Sequence, residues 1–79
     1  MTTQTQMQQN LKVNIKALMA KQNLTRNRLA QIVGVSTSTI DHWKSGRTIP
    51  RLNQLSSLSK VLGVTIDEIL LNNIEVNKP

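Results

Sequence analysis

The sequence predicts an all-α domain of five short helices joined by tight turns. Three observations point there. Apolar residues recur at helical spacing in five separate stretches. Residues suited to starting helices (Thr25, Ser36, Thr65) alternate with residues suited to ending them (Asn23, Gly34, Gly46, Gly63). No convincing strand pattern is present, because the β-branched run Val64-Thr65-Ile66 is too short to compete with a helix.

The first helix rests on Leu11, Ile15, Leu18 and Met19, which share one face, while Lys12, Lys16 and Lys21 fall elsewhere and are expected in solvent. Asn23 stands at its end, and Asn tolerates the left-handed conformation used there. Thr25 caps a second helix with an apolar face of Leu29, Ala30, Ile32 and Val33, and Gly34 ends it. Ser36 caps a third, with Val35 just before it and Ile40 and Trp43 as its apolar positions; Gly46 ends it. Arg47–Pro50 reads as a loop, with Pro50 opening the fourth helix. Leu52, Leu55, Leu58, Ser59 and Leu62 mark that helix, and Gly63 closes it. Thr65 caps a fifth, with Asp67 and Glu68 in its first turn and Ile66, Ile69 and Leu70 as its stripe. Residues 1–9 (Met1–Gln9) are Thr/Gln-rich and are expected to be a disordered arm, and residues 72–79 (Asn72–Pro79) a flexible tail. One domain over residues 10–71 remains.

Composition narrows the function. With 79 residues, 38% of them hydrophobic and Trp43 the single aromatic, the core has to be aliphatic. The chain has no cysteine and one histidine, His42, so no disulfide and no metal site is expected. No cofactor is called for, and no nucleophile–base pair or phosphate-cradling loop suggests an enzyme. No apolar run approaches the roughly 20 residues of a membrane span, and no secretory signal is visible. A cytoplasmic protein without a membrane partner is the expectation. The formal net charge is +6. From Lys12 to Lys60 there are nine basic residues and one acid, Asp41. Such a body suits a polyanionic partner, although a merely soluble basic surface would look the same on charge alone.

A more specific pattern runs through Thr25–Ser45. Leu29-Ala30, Gly34-Val35-Ser36 and Ile40 carry the spacing of two helices set at an angle across a short turn. Ala30 lets the third helix cross closely, Gly34 makes the turn, and Val35 with Ile40 plugs the angle. An ordinary helical corner is the bland alternative. The stretch from about Ile15 to Leu71 resembles the Cro/C1-type (XRE-family) helix-turn-helix domains of phage repressors and bacterial regulators. The resemblance is carried by Leu24-Thr25, Leu29-Ala30, Gly34-Val35-Ser36, Thr39-Ile40, Trp43, Gly46, Pro50, Leu58, Leu62-Gly63-Val64 and Asp67-Glu68-Ile69-Leu70. It implies a compact five-helix lambda-repressor-like fold, operator binding and usually a symmetric dimer. Two departures stand out. Met19 and Lys44 occupy positions where many members carry Arg and Glu, so an apolar contact of Met19 with the stem of Lys44 or with Trp43 is expected in place of their ion pair. Arg26 replaces a frequent Gln.

In this motif the third helix enters the major groove. Thr37, Ser38 and His42 are expected to face bases, and Lys44 to reach either a base or the backbone. Capping by Thr37 and Ser38, or plain solvent exposure of His42, would explain the same residues more simply. Backbone contacts are expected from Arg26, Asn27, Ser36, Thr39, Ser45, Arg47, Thr48 and Arg51. Asp41 is expected to pair with Lys44 or Arg47 one turn away, and Trp43 to be core. Leu18, Leu29, Ile32, Ile40, Leu55, Leu58, Leu62 and Ile69 complete the core. Leu52, Val64, Thr65 and Leu71 are candidates for a dimer contact. The expected function is a sequence-specific transcriptional regulator of double-stranded DNA, with repression as the expected sign and a homodimer as the bound form. An antitoxin-type module that also binds a protein partner through its tail is the alternative.

Overall fold

A computed structural model describes residues 3–71 of the chain; the tail 72–79 and the first two residues of the arm lie outside the described residues. Five α-helices run in order: α1 (Gln4–Lys21), α2 (Arg26–Val33), α3 (Thr37–Lys44), α4 (Leu52–Leu62) and α5 (Ile66–Leu70). Among the described residues there is no strand, and no helix is long and apolar enough to cross a membrane.

One core joins all five helices. Leu11, Ile15, Leu18 and Met19 from α1 meet Leu29 and Ala30 from α2, Ile40 and Trp43 from α3, Leu55, Leu58 and Leu62 from α4, and Ile69 and Leu70 from α5. Helix α1 packs on α3 and α5, α2 packs on α3 and α4, and α4 packs on α5. Trp43 is buried and serves as a packing residue. Ile32, expected in the core, is instead 43% exposed. Leu29, Ala30 and Val33 fill the inward side of α2, and Ile32 lies roughly a quarter-turn further round.

Helix starts follow their capping chemistry. The Oγ atoms of Thr25, Ser36 and Thr65 accept the backbone N–H groups of Arg28 (3.1 Å), Thr39 (3.2 Å) and Glu68 (3.0 Å). The Glu68 carboxylate accepts in return from the Thr65 N–H, which completes a capping box. Helix α4 differs from expectation. Pro50 is buried but precedes the N-cap, which is Arg51; the Arg51 N–H donates to Gln54 Oε1 at 2.8 Å. Asn23 adopts φ +55°, the left-handed stop that Asn tolerates.

The first turns of α1 overturn another expectation. Residues 4–9, read as part of a disordered arm, are helical. Thr3 caps the helix, its Oγ1 accepting from Gln6 N–H. Gln6 then donates to Asn10 Oδ1 at 3.0 Å, and Gln8 donates to the Arg47 carbonyl at 3.2 Å. The segment is held by amide hydrogen bonds, which a search for apolar periodicity does not register. Met7 adds a partly buried contact to the core.

Two further amides matter more. Asn10 and Asn14 on α1 are buried, at 4% and 0% exposure. Asn14 Nδ2 donates to the carbonyls of Glu68 (3.0 Å) and Ile69 (2.7 Å), and Asn10 Nδ2 to that of Leu70 (2.8 Å). These are the carbonyls at the end of α5 that the helix itself cannot satisfy.

The stability of this architecture can be probed at both kinds of feature. Asn14→Leu removes the donor to two carbonyls and should lower stability by about 1–3 kcal/mol, read as a fall in the urea midpoint. An unchanged midpoint would mean that water replaces the amide. Gly34 (φ +82°) and Gly46 (φ +75°) both hold left-handed backbone, but only at Gly46 would an added Cβ meet a backbone atom, the Gln8 carbonyl oxygen at 3.3 Å. Gly34→Ala should therefore destabilise by about 1 kcal/mol, and Gly46→Ala by more, in the same measurement.

Candidate nucleic-acid interface

The turn between α2 and α3 is built from backbone. Gly34 and Val35 both donate to the Ala30 carbonyl, at 2.8 and 3.0 Å, which closes α2. Gly34 takes the left-handed conformation, so Ser36 can start α3 two residues later. Ile40 and Trp43, both buried, then fix the rotation of α3 about its axis. Helical geometry sets what remains outward. Ser38, His42 and the C-cap residue Ser45 lie opposite the buried stripe, with Asp41 beside them. Thr37, Thr39 and Lys44 flank that face.

Of the expected base-facing residues, Ser38 and His42 therefore share the outward face, while Thr37 and Lys44 stand at the two ends of α3 on its flank. Ser38 is exposed; Thr37, His42 and Lys44 are half-buried. The backbone N–H groups of Thr37 and Ser38 find no partner among the described residues, as is usual in the first turn of a helix. Such free donors favour an anion or a base acceptor.

The expected backbone-facing residues divide. Arg26 and Asn27 are exposed in the first turn of α2, and Arg47, Thr48 and Arg51 lie in and after the loop that leaves α3. That loop is anchored: Arg47 N–H donates to the His42 carbonyl at 2.9 Å, and the Arg47 carbonyl accepts from Gln8. Ser36, Thr39 and Ser45 have their hydroxyls engaged within the helix. The Ser36 and Thr39 oxygens lie 3.0 Å apart, and Ser45 Oγ donates to the His42 carbonyl at 3.1 Å.

Asp41 does not pair with Lys44 or Arg47. Its carboxylate meets Arg26, across the angle between α3 and α2. A cation in the first turn of α2 sits against the positive end of the helix dipole, so a nearby acid compensates it. Lys44 is drawn elsewhere. It lines a shallow hollow with Lys16, Met19, Ala20, Leu24, Thr25 and Arg26. Met19, almost fully buried, lines the hollow with Lys44 and belongs to the same core cluster as Trp43. Lys16, exposed as expected, is a third cation at the rim of this hollow. Its spacing of three from Met19 was the signal that could have placed it there.

Electrostatically the region is one-sided. Across the described residues nine Lys/Arg face three acids, Asp41, Asp67 and Glu68. Two of those acids sit at the start of α5. Asp41 is therefore the sole acid within the turn motif, and it is spoken for by Arg26.

A family model described as helix-turn-helix matches residues 15–69. Over 56 residues the chain is 39% identical to the HTH-type transcriptional activator BcrR of Enterococcus faecalis. The matched part is 71% of this chain and 28% of that protein, so the chain spans little more than a quarter of the relative's length. No solved structure gives a significant match. The family match runs from the middle of α1 into α5 and covers residues from every helix of the core; the chain belongs to the Cro/C1-type helix-turn-helix family.

Proposed function

We propose that the protein is a sequence-specific DNA-binding transcriptional regulator that lays α3 in the major groove of an operator and binds as a symmetric dimer. The observation that carries this reading is the pose of α3. Its inner side is locked by Ile40 and Trp43, the N–H groups of Thr37 and Ser38 are free, and its outer side presents Ser38 and His42. The enterococcal relative is a transcriptional activator, which supports a role in transcription.

Chemistry assigns the roles. Ser38 and Thr37 can donate or accept, and the Thr37 methyl can meet thymine. His42 can reach a guanine N7, with Lys44 at the flank. Arg26, Asn27, Arg47, Thr48 and Arg51 hold phosphates, together with the capped turns at Ser36, Thr39 and Ser45. The base-facing set lacks a bidentate Asn, Gln or Arg, so DNA shape supplies part of the discrimination. A single α3 touches few base pairs, and a two-fold dimer doubles them. Leu52 and Leu71, 74% and 46% exposed, are apolar residues available for that contact, beside Val64 and Thr65. An operator that overlaps a promoter blocks polymerase, so repression is the output that operator occupancy alone supplies.

Two measurements test this. Selection of bound duplexes from a random pool should return an inverted repeat whose half-sites lie about 34 Å apart; recovery of unrelated sequences would defeat the reading. In gel shifts, Arg47→Ala should weaken binding to all duplexes alike and lower the salt slope by about one. Thr37→Ala combined with Ser38→Ala should instead narrow the gap between operator and unrelated DNA, with the salt slope unchanged.

A further inference from the structure

Beyond offsetting the cation at the start of α2, the Arg26–Asp41 pair has no evident structural task. Both side chains stand well into solvent, at 51% and 44% exposure, where an ion pair contributes little stability. The hydrophobic core closes beneath α2 and α3 without it. Its position is less ordinary. Asp41 lies three residues after Ser38 and directly before His42, on the outward side of the helix assigned to the groove. A bare carboxylate there would be repelled by the phosphates on either side. With Arg26 on its Oδ2, the pair is neutral, and Oδ1 takes no hydrogen bond within the described residues.

A carboxylate can only accept hydrogen bonds. The major-groove edges offer it two donors, the N4 amino group of cytosine and the N6 amino group of adenine. Adenine sets the N7 acceptor beside N6, so its edge turns a lone pair towards the second carboxylate oxygen. Cytosine presents its amino group with no acceptor of its own alongside. Arg26 brings a further property. Its guanidinium carries five donors in a planar fork, of which Asp41 engages only part. It also starts α2, where the free N–H groups and the helix dipole favour an anion.

We propose that Asp41, neutralised and aimed by Arg26, reads a cytosine amino group in each half-site, while the rest of the Arg26 fork holds a backbone phosphate; this role rests on the DNA-binding reading of α3. The chain phosphate–Arg26–Asp41–cytosine then ties the register set on the backbone to the base that is read. Asp41 becomes a specificity-determining residue, and Arg26 its positioning residue as well as a phosphate contact.

Random-pool selection with wild type, Asp41→Ala, Asp41→Asn and Arg26→Gln tests this, with circular dichroism melts confirming that each variant folds. The wild-type half-site should hold a cytosine that Asp41→Ala releases, by about tenfold in preference, at that position alone. Asp41→Asn should move the preference there to adenine, whose N6 and N7 an amide can engage together. Arg26→Gln should lose the cytosine preference and also lower affinity for all sequences. A wild-type half-site without that cytosine, or an Asp41→Ala half-site unchanged at every position, would overturn the assignment while leaving operator binding intact. Failure of the wild type to select any common sequence would instead sink the DNA-binding reading, and this assignment with it.

Discussion

The buried hydrogen bonds from Asn14 and Asn10 into the end of α5 are the constraint on which the remaining architecture depends. A helix of five residues cannot stabilise itself, because nucleation costs more than so few bonds return. Its apolar contribution is small too, chiefly Ile69 and Leu70. What fixes it is the pair of α1 amides that take up its terminal carbonyls inside the core. Elsewhere the same device recurs. Gln22, the C-cap of α1, donates to the Leu62 carbonyl at the end of α4, at 2.6 Å, and Gln8 to the Arg47 carbonyl in the loop after α3. Helix α1 is thus a rod with four amide hooks, each closing a backbone end that its own element leaves open.

This arrangement decides how α3 is held. Helix α3 has eight residues and only two buried side chains, Ile40 and Trp43. Its rotation is set by those two, but its far end is set by the loop that Gln8 grips and by the close approach of Gly46 to α1. The candidate interface is therefore supported from behind rather than by its own contacts. The surface can then be chemically sparse without becoming loose. Hydroxyls at Ser36, Thr39 and Ser45 serve the helix ends first, and a side chain already committed in that way offers a ligand its remaining lone pairs rather than a free rotor.

Most of the helical skeleton was legible because it is written in two strong signals, apolar spacing and capping residues. The α2–Gly34–α3 turn shows this best, since Thr25, Gly34, Ser36 and Ile40 each act as their residue types suggest. The parts that were not legible share a cause. Residues 4–9 are ordered by side-chain amides meeting distant carbonyls, a partnership 39 residues apart for Gln8 and Arg47 that no local pattern announces. Asn10 and Asn14 carry no local signal of burial; the carbonyls they meet belong to α5, more than 50 residues away in sequence. Asp41 has Lys44 within one turn, yet it pairs with a residue 15 positions earlier because the angle between two helices, not the spacing along one, brings Arg26 near. Ile32 failed differently: the α2 face was already full.

Acids are distributed unevenly among the helix starts. A carboxylate in a first turn favours a helix by about 0.3–1 kcal/mol through the dipole. Helix α5 has two, Asp67 and Glu68, whereas α1, α2, α3 and α4 have none. At α2 the first turn even carries the cations Arg26 and Arg28, against the dipole. On stability alone this is a missed opportunity at three short helices. It becomes intelligible if the starts of α2 and α3 have to remain open to phosphates, which a resident carboxylate would repel. The start of α5, free of that demand, is built as stability would choose, with a complete capping box and its acids in place. On the proposed DNA-binding reading, the contrast between the start of α5 and those of α2 and α3 would separate a helix start tuned for holding together from two left electrostatically open for a polyanion.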